Sequence, residues 1–286
     1  MDKSDSYHKF PVYGWFGIIL IIVFWYLNWF LKGLRTDWAF FPLWLGFCLT
    51  VDAIVFIRRG TSLITRSLKK YILLFLISAP VWWLFELFNS LTQNWLYDGK
   101  QYFTDFQFFV LASISFSTVV PAVFETAELS RTFKWIQNLK TYKKLIPANK
   151  IISLFFILGI GTLILEIIFP QIFYPFIWIT VYFLIEPLNI KMKNRNLLQS
   201  TQDGDWRPVI SLWTGCLICA FFWEMWNYYS YPRWYYYLPM VNFLHIFDMP
   251  VLGYIGYLPF SMELFAVYNF IVGTFGDKKS DYIHLG

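Results

Sequence analysis

Apolar residues fill this chain in long unbroken runs, with neither the two-residue alternation of a half-buried strand nor the one-sided stripe of a surface helix. Eight such runs, near positions 12–31, 38–57, 70–91, 106–128, 151–169, 172–190, 208–228 and 250–273, each hold about 20 residues, enough to cross a bilayer core as a helix. The joint between the fifth and sixth is tight, at "FPQIFYP". The predicted fold class is all-α, a polytopic membrane helical bundle of about eight transmembrane helices. The first run is expected to remain as a span, since "MDKSDSYHK" is polar and no small-residue cleavage site follows it.

The polar positions between runs are unevenly charged. Arg58, Arg59, Arg66, Lys69 and Lys70 lie between the second and third, and Arg131, Lys134, Lys140, Lys143, Lys144 and Lys150 follow the fourth. Lys191, Lys193, Arg195 and Arg207 follow the sixth, and Lys278 and Lys279 the eighth, whereas the alternate loops hold few, notably Lys32, Arg35, Lys100 and Arg233. By the positive-inside rule this predicts a multi-pass protein of the cell membrane with both termini cytoplasmic. The basic clusters then read as topology determinants and contacts with anionic headgroups. The net charge of +5 therefore carries no nucleic-acid signal. Composition agrees, with 58% hydrophobic and only 14% charged residues, against about 25% charged in soluble domains. The segment Tyr231 to Asp248, "YPRWYYYLPMVNFLHIFD", is too broken to span. It fits either an aromatic belt at the outer interface or a short cap over a cavity.

The apolar runs also contain acids. Asp52, Glu86, Glu125, Glu186, Glu224 and Glu263 all fall inside them, with Glu166 nearer an interface. An acid at the centre of a span costs about 2.5–3.5 kcal/mol to insert, so these side chains should face the bundle interior. Within the spans no lysine or arginine stands ready to pair with them. An acid desolvated without a partner keeps its proton, and several are expected to be neutral.

The acids repeat. At a constant offset of 138, Glu86 meets Glu224, Asn89 meets Asn227, Pro121 meets Pro259 and Glu125 meets Glu263. Upstream the offset is 134, and Trp44 with Asp52 matches Trp178 with Glu186. This predicts two parallel four-helix repeats, residues 1–145 and 146–286, inserted the same way up. Glu86 and Asn89 share a helix face, as do Glu224 and Asn227, so each amide is expected to bond its neighbouring carboxyl group. The prolines should bend their spans and open a pocket beside Glu125 and Glu263, and Gly253 and Gly256 should allow close backbone approach. Glu86, Glu125, Glu224, Glu263, Asn89 and Asn227 are thus the candidate catalytic residues. Trp82, Trp223, Trp226, Tyr254 and Tyr257 are candidate ligand-contacting rings, able to face a cation or developing carbocation.

"WEMWN" with Pro259 and Glu263, and more loosely "FELFN" with Pro121 and Glu125, resemble motifs of the duplicated integral-membrane lycopene cyclases and of small membrane terpene cyclases. Those families carry a tryptophan–acid pair on one span and a proline followed by acids on the next. The resemblance implies acid catalysis on a polyene or epoxide. Here a single acid follows the proline by four residues, and each half has an extra span.

Three function classes stay open. One is an enzyme that cyclises or isomerises an isoprenoid-type lipophilic substrate with carboxylic acids. The second is a transporter or proton path, since Glu86 and Glu224 lie toward one end of their spans and Glu125 toward the other, ~10–20 Å apart in depth. The third is a non-catalytic subunit holding a pigment or quinone. The expected partners are the lipid bilayer, a lipophilic small molecule and other membrane proteins, with no nucleic acid. No cofactor is indicated. Cys216 and Cys219 form a lone C-x-x-C without a second pair, Cys48 is isolated, and His8, His245 and His284 are scattered, so no metal site is expected.

Overall fold

The computed structural model describes residues 9–139, 144 and 149–285. His8, Lys140, Lys143 and the expected boundary between residues 145 and 146 lie outside the described residues. The apolar runs fold as helices in the order α1 (Val12–Phe30), α2 (Thr36–Arg59), α3 (Leu63–Arg66), α4 (Leu68–Thr92), α5 (Asp105–Phe116), α6 (Val119–Arg131), α7 (Lys134–Gln137), α8 (Asn149–Ile168), α9 (Pro170–Phe173), α10 (Ile177–Met192), α11 (Leu197–Gln202), α12 (Arg207–Tyr228) and α13 (Tyr257–Thr274). Two short antiparallel ribbons join them, β1 (Trp95–Asp98) with β2 (Arg233–Tyr236), and β3 (His245–Ile246) with β4 (Met249–Pro250). Among the described residues eight helical stretches are long and apolar enough to cross a membrane. They make a polytopic bundle.

Two of the spans are broken where proline was expected to act. The fourth consists of α5 and α6, separated at Ser117–Thr118, and the eighth begins with a 3₁₀ stretch at Val251–Gly256 before α13. Pro121 and Pro259 each occupy the first turn of the helix that restarts. There the missing N–H has no intrahelical acceptor to lose. Ser78 of α4 bridges the first break, donating to Phe116 O at 2.6 Å and accepting from Val120 N at 3.0 Å.

Small residues set the tightest helix contacts. A Cβ on Gly215 of α12 would lie 2.4 Å from Ala127 N of α6, and one on Gly17 of α1 would lie 2.7 Å from Gly46 O of α2. In lipid the driving force for association is this close packing, since tails are as apolar as the side chains. Helices α1 and α8 present mainly exposed apolar residues such as Ile19, Ile22, Ile157 and Ile164, while α2, α6, α12 and α13 supply most of the core.

At the basic end of the bundle the C-terminal tail is held in a cleft. Tyr282, Ile283 and Leu285 are buried. Arg66 donates to Tyr282 O, Arg195 to Ser280 O and Ile283 O, Arg131 to Leu285 O, and Arg59 to His284 O. Glu128 pairs with Arg66 and accepts from His284 N at 2.7 Å. The reading of these arginines as topology and headgroup residues alone is therefore corrected. Four of them donate to backbone carbonyls of a tail that forms no helix or strand.

Candidate functional site

The opposite end of the bundle is built around the β1–β2 ribbon. Trp95 faces Tyr236, Leu96 faces Tyr235, Tyr97 faces Trp234 and Asp98 faces Arg233. Alternate residues share a face, so Trp95, Tyr97, Trp234 and Tyr236 all turn toward the helices. Leu96 and Tyr235 are exposed. Each strand follows a span that ends in an acid and an asparagine. The Asn89 amide donates to Trp95 O at 2.8 Å and accepts from Trp95 N at 3.1 Å. Asn227 does the same for Trp234, at 2.6 and 2.9 Å. A strand residue points its N–H and C=O to one side, so each asparagine satisfies a strand's outer edge as a neighbouring strand would. The expected bond from amide to carboxyl is therefore replaced by bonds from amide to backbone.

That leaves the carboxyl groups free for the rings. Glu86 Oε1 accepts from Trp82 Nε1 at 3.0 Å, Trp95 Nε1 at 2.9 Å and Tyr97 OH at 2.5 Å. Glu224 Oε1 accepts from Tyr236 OH at 2.6 Å and Tyr257 OH at 2.7 Å, with Trp234 Nε1 donating to Tyr236 OH at 2.9 Å. Burial, then the adjacent Glu86 charge, pushes the Tyr97 hydroxyl well above its ordinary value, and burial and Glu224 do the same to Tyr236. Both phenols stay protonated and act as donors.

In front of these rings lies a cavity of about 430 Å³, within the range that holds a small-molecule ligand. Its walls include Trp82, Trp95, Tyr97, Trp223, Trp234, Tyr236 and Tyr257, together with Phe40, Phe108, Phe116, Tyr174, Trp178 and Met249. Glu86 and Glu224 stand behind this wall, each holding the polar atoms of rings that line it. The surface left facing the cavity is mostly ring carbon.

No family model, curated protein or solved structure matches this chain.

The other sequence-derived residues go elsewhere. Glu125 is fully buried, and it lies among the charges of Asp52, Glu128 and Arg66 toward the basic end. Glu263 accepts from Val181 N of α10 at 2.9 Å, tying α13 to that helix. Neither lines the cavity, so the four glutamates do not converge on one chamber. Asp52 accepts from Ile64 N at 2.9 Å and Tyr13 OH at 2.7 Å. Glu186 accepts from Leu197 N at 2.6 Å and Leu198 N at 3.2 Å. Each of those two acids accepts from first-turn N–H groups of the short helix that follows its span, beside the N-cap residues Ser62 and Asn196. Glu166 accepts from Thr180 at 2.5 Å.

Of the candidate rings, Trp82, Trp223 and Tyr257 line the cavity. Trp226 packs against Trp44 and Phe47 in the core, and Tyr254 donates to Ile246 O at 3.2 Å beside the second ribbon. Gly256 admits Trp178, whose ring carbon would lie 3.0 Å from an added Cβ. Segment 231–248 forms part of the cavity wall through Arg233, Trp234, Tyr236, Leu238 and Val241, which favours its reading as a cap.

Sequence reasoning missed Trp95 and Tyr97. A signal was present, because "WLY" at 95–97 and "WYY" at 234–236 are the same W-x-Y pattern, each a few residues beyond a glutamate-to-asparagine pair. Cys48, Cys216 and Cys219 are buried free thiols.

Proposed function

We propose that this membrane protein binds a lipophilic small molecule in the aromatic cavity between a duplicated pair of four-span units. The observation that carries the reading is the treatment of the ring donors. Indole and phenol groups that would make the wall polar are tied to Glu86 and Glu224 behind it, so ring faces remain for an apolar ligand. In this reading those two acids are positioning residues that fix the wall. Asn89 and Asn227 hold the ribbon that closes it.

Duplication is supported by the paired environments of Glu86 and Glu224, of Asn89 and Asn227, and of Asp52 and Glu186. It is also supported by the ribbon, whose register is symmetric about the Leu96–Tyr235 pair. With the basic loops at the far end, we place the termini in the cytoplasm and the ribbon outside.

The test is native mass spectrometry of the protein taken from its membranes in mild detergent. Wild type should carry a stoichiometric lipophilic adduct, or take up hexadecane or phytane. Ala112→Phe, which fills the cavity from its wall, should do neither while keeping its thermal stability. Protein that carries no adduct and takes up none of these probes refutes the proposal.

A second reading is acid chemistry on the bound molecule. It is favoured by Glu224 Oε2, which is buried without a hydrogen-bond partner, behind the cavity-lining Tyr257. Tyr257 would pass a proton to the ligand and recover one from Glu224, and the resulting carbocation would lose a proton back to the Glu224 carboxylate through Tyr257 as the product forms. Isoprenoid cyclisation or isomerisation, as the membrane cyclase resemblance implies, would then be the reaction class. Glu224→Gln keeps an acceptor for both tyrosines and removes the exchangeable proton. Lipid extracts identical to wild type would leave binding without catalysis.

A further inference from the structure

We infer that the cavity receives an amphiphile with a quaternary ammonium head, seated against the rings that Glu86 holds. This rests on the cavity being a lipophilic ligand site. It adds the chemistry of the head.

Three rings of the wall converge on one oxygen. Trp82 Nε1, Trp95 Nε1 and Tyr97 OH donate to Glu86 Oε1 at 3.0, 2.9 and 2.5 Å, and all three residues line the cavity. The Trp82 and Trp95 ring centroids are 6.2 Å apart. Across the ribbon, Tyr236 is the register partner of Trp95 and Trp234 that of Tyr97, and both also line the cavity. Three short donors on a single oxygen fit the charge of a carboxylate, since the oxygen of a neutral acid has two lone pairs to offer. Among the described residues no lysine or arginine pairs with Glu86.

This arrangement gives the wall a sign. An aromatic ring is negative on its faces and positive at its edge. The most positive edge atoms, the indole N–H and the phenol O–H, are bonded to Glu86. Ring carbon is left to meet a ligand, with an unpaired carboxylate behind it, and both attract a cation. The wall already holds one. Lys100 Nζ lies 4.7 Å from the centroid of Phe108, whose ring is 5.5 Å from that of Tyr97, and Lys100 and Phe108 line the cavity.

The same contacts disfavour other charged heads. A primary ammonium needs acceptors for its N–H groups, and a buried donor left without one costs free energy. A quaternary ammonium has no N–H to satisfy. An anion would oppose Glu86, and of the two basic residues in the wall Arg233 is already paired with Asp248 at 2.9 Å.

The experiment compares decyltrimethylammonium, its carbon isostere 2,2-dimethyldodecane and decyl sulfate at equal free concentration. Binding is read by native mass spectrometry on full-length protein stripped of endogenous lipid. The ammonium should bind about tenfold more tightly than the isostere, as expected for a desolvated cation against aromatic rings. Decyl sulfate should bind more weakly than the ammonium. Glu86→Gln keeps an oxygen for the ring donors and removes the charge, so it should weaken the ammonium about three- to tenfold and leave the isostere unchanged. The comparison within wild type decides even where that variant fails to fold. Equal binding of ammonium and isostere, or sulfate binding as tightly as the ammonium, overturns the cation assignment and leaves the cavity reading standing. Binding of none overturns both.

Discussion

Replacing Asn227 by leucine removes two hydrogen bonds to one strand residue and puts nothing polar in their place. Trp234 N and Trp234 O, at 2.9 and 2.6 Å from the amide, lose their partners on the side away from β1. A buried group left unpaired costs about 1–3 kcal/mol. Trp234 is only partly buried, so water relieves some of the penalty and ~2–3 kcal/mol is expected. The equivalent Asn89→Leu strands Trp95, which is 4% exposed, and should cost nearer ~4 kcal/mol. For a chain of this size about 1 kcal/mol moves Tm by ~2 °C. Asn227→Leu should therefore melt ~4–6 °C and Asn89→Leu ~8 °C below wild type. Near-UV circular dichroism in detergent is the assay, since it reports the packed rings under the ribbon. Because both asparagines secure one ribbon, the double variant should lose less than the sum of the singles. Single variants melting within 1 °C of wild type, or Asn227→Leu melting lower than Asn89→Leu, would refute the account of the asparagines as strand mimics.

Two further outcomes follow from the packing and the tail. Gly215→Ala forces a Cβ to 2.4 Å from Ala127 N, which is backbone and cannot swing aside, so it should lower Tm by several degrees. Gly161→Ala, with nothing within 4 Å of the added carbon, should be neutral or slightly stabilising on the same melt. His284 sits partly buried in the tail, facing Arg66, Arg59 and Arg195 and, with opposite sign, Asp281. Burial first and the arginines second hold its pKa below the ordinary 6.5. A base whose folded pKa is depressed binds its proton more readily once released. Tail docking is thus unaffected above pH 6.5 and weakens as pH falls through and below that value. Proteolysis within 277–285 should quicken on acidification in wild type, and a His284→Asn variant that keeps the same pH response would refute this.

Much of the bundle was legible from hydropathy alone because a lipid-facing helix admits few polar residues. The expected runs at 12–31 and 208–228 differ by at most one residue at either end from α1 and α12. The breaks in the fourth and eighth spans were visible in Pro121 and Pro259. Their depth was not, since Ser78, which stabilises the first break, belongs to another helix. Asp52, Glu125, Glu186, Glu224 and Glu263 are buried as expected, Glu86 is only half-buried, and the partners of all of them were unreadable. Glu86 meets Trp95 and Tyr97 only because a strand folds back beneath the span. Glu263 meets the backbone of α10, which no side-chain pattern reports. The asparagines were misassigned for a similar reason. Helical spacing puts Asn89 beside Glu86, yet the backbone of Trp95 is the better hydrogen-bond partner once β1 forms. The arginines around the tail failed differently, because a loop charge looks alike whether it meets a headgroup or a carbonyl.

The ribbon register has a consequence for how the chain assembles. Until the seventh span is in place, β1 has no mate, and its inner edge is an open template for pairing. Because the pairing is centred on Leu96 opposite Tyr235, a second β1 could dock there in the same alignment, tryptophan against tyrosine on both sides. A polypeptide severed after its fourth span should then self-associate through that edge, as twin protomers related by a two-fold axis.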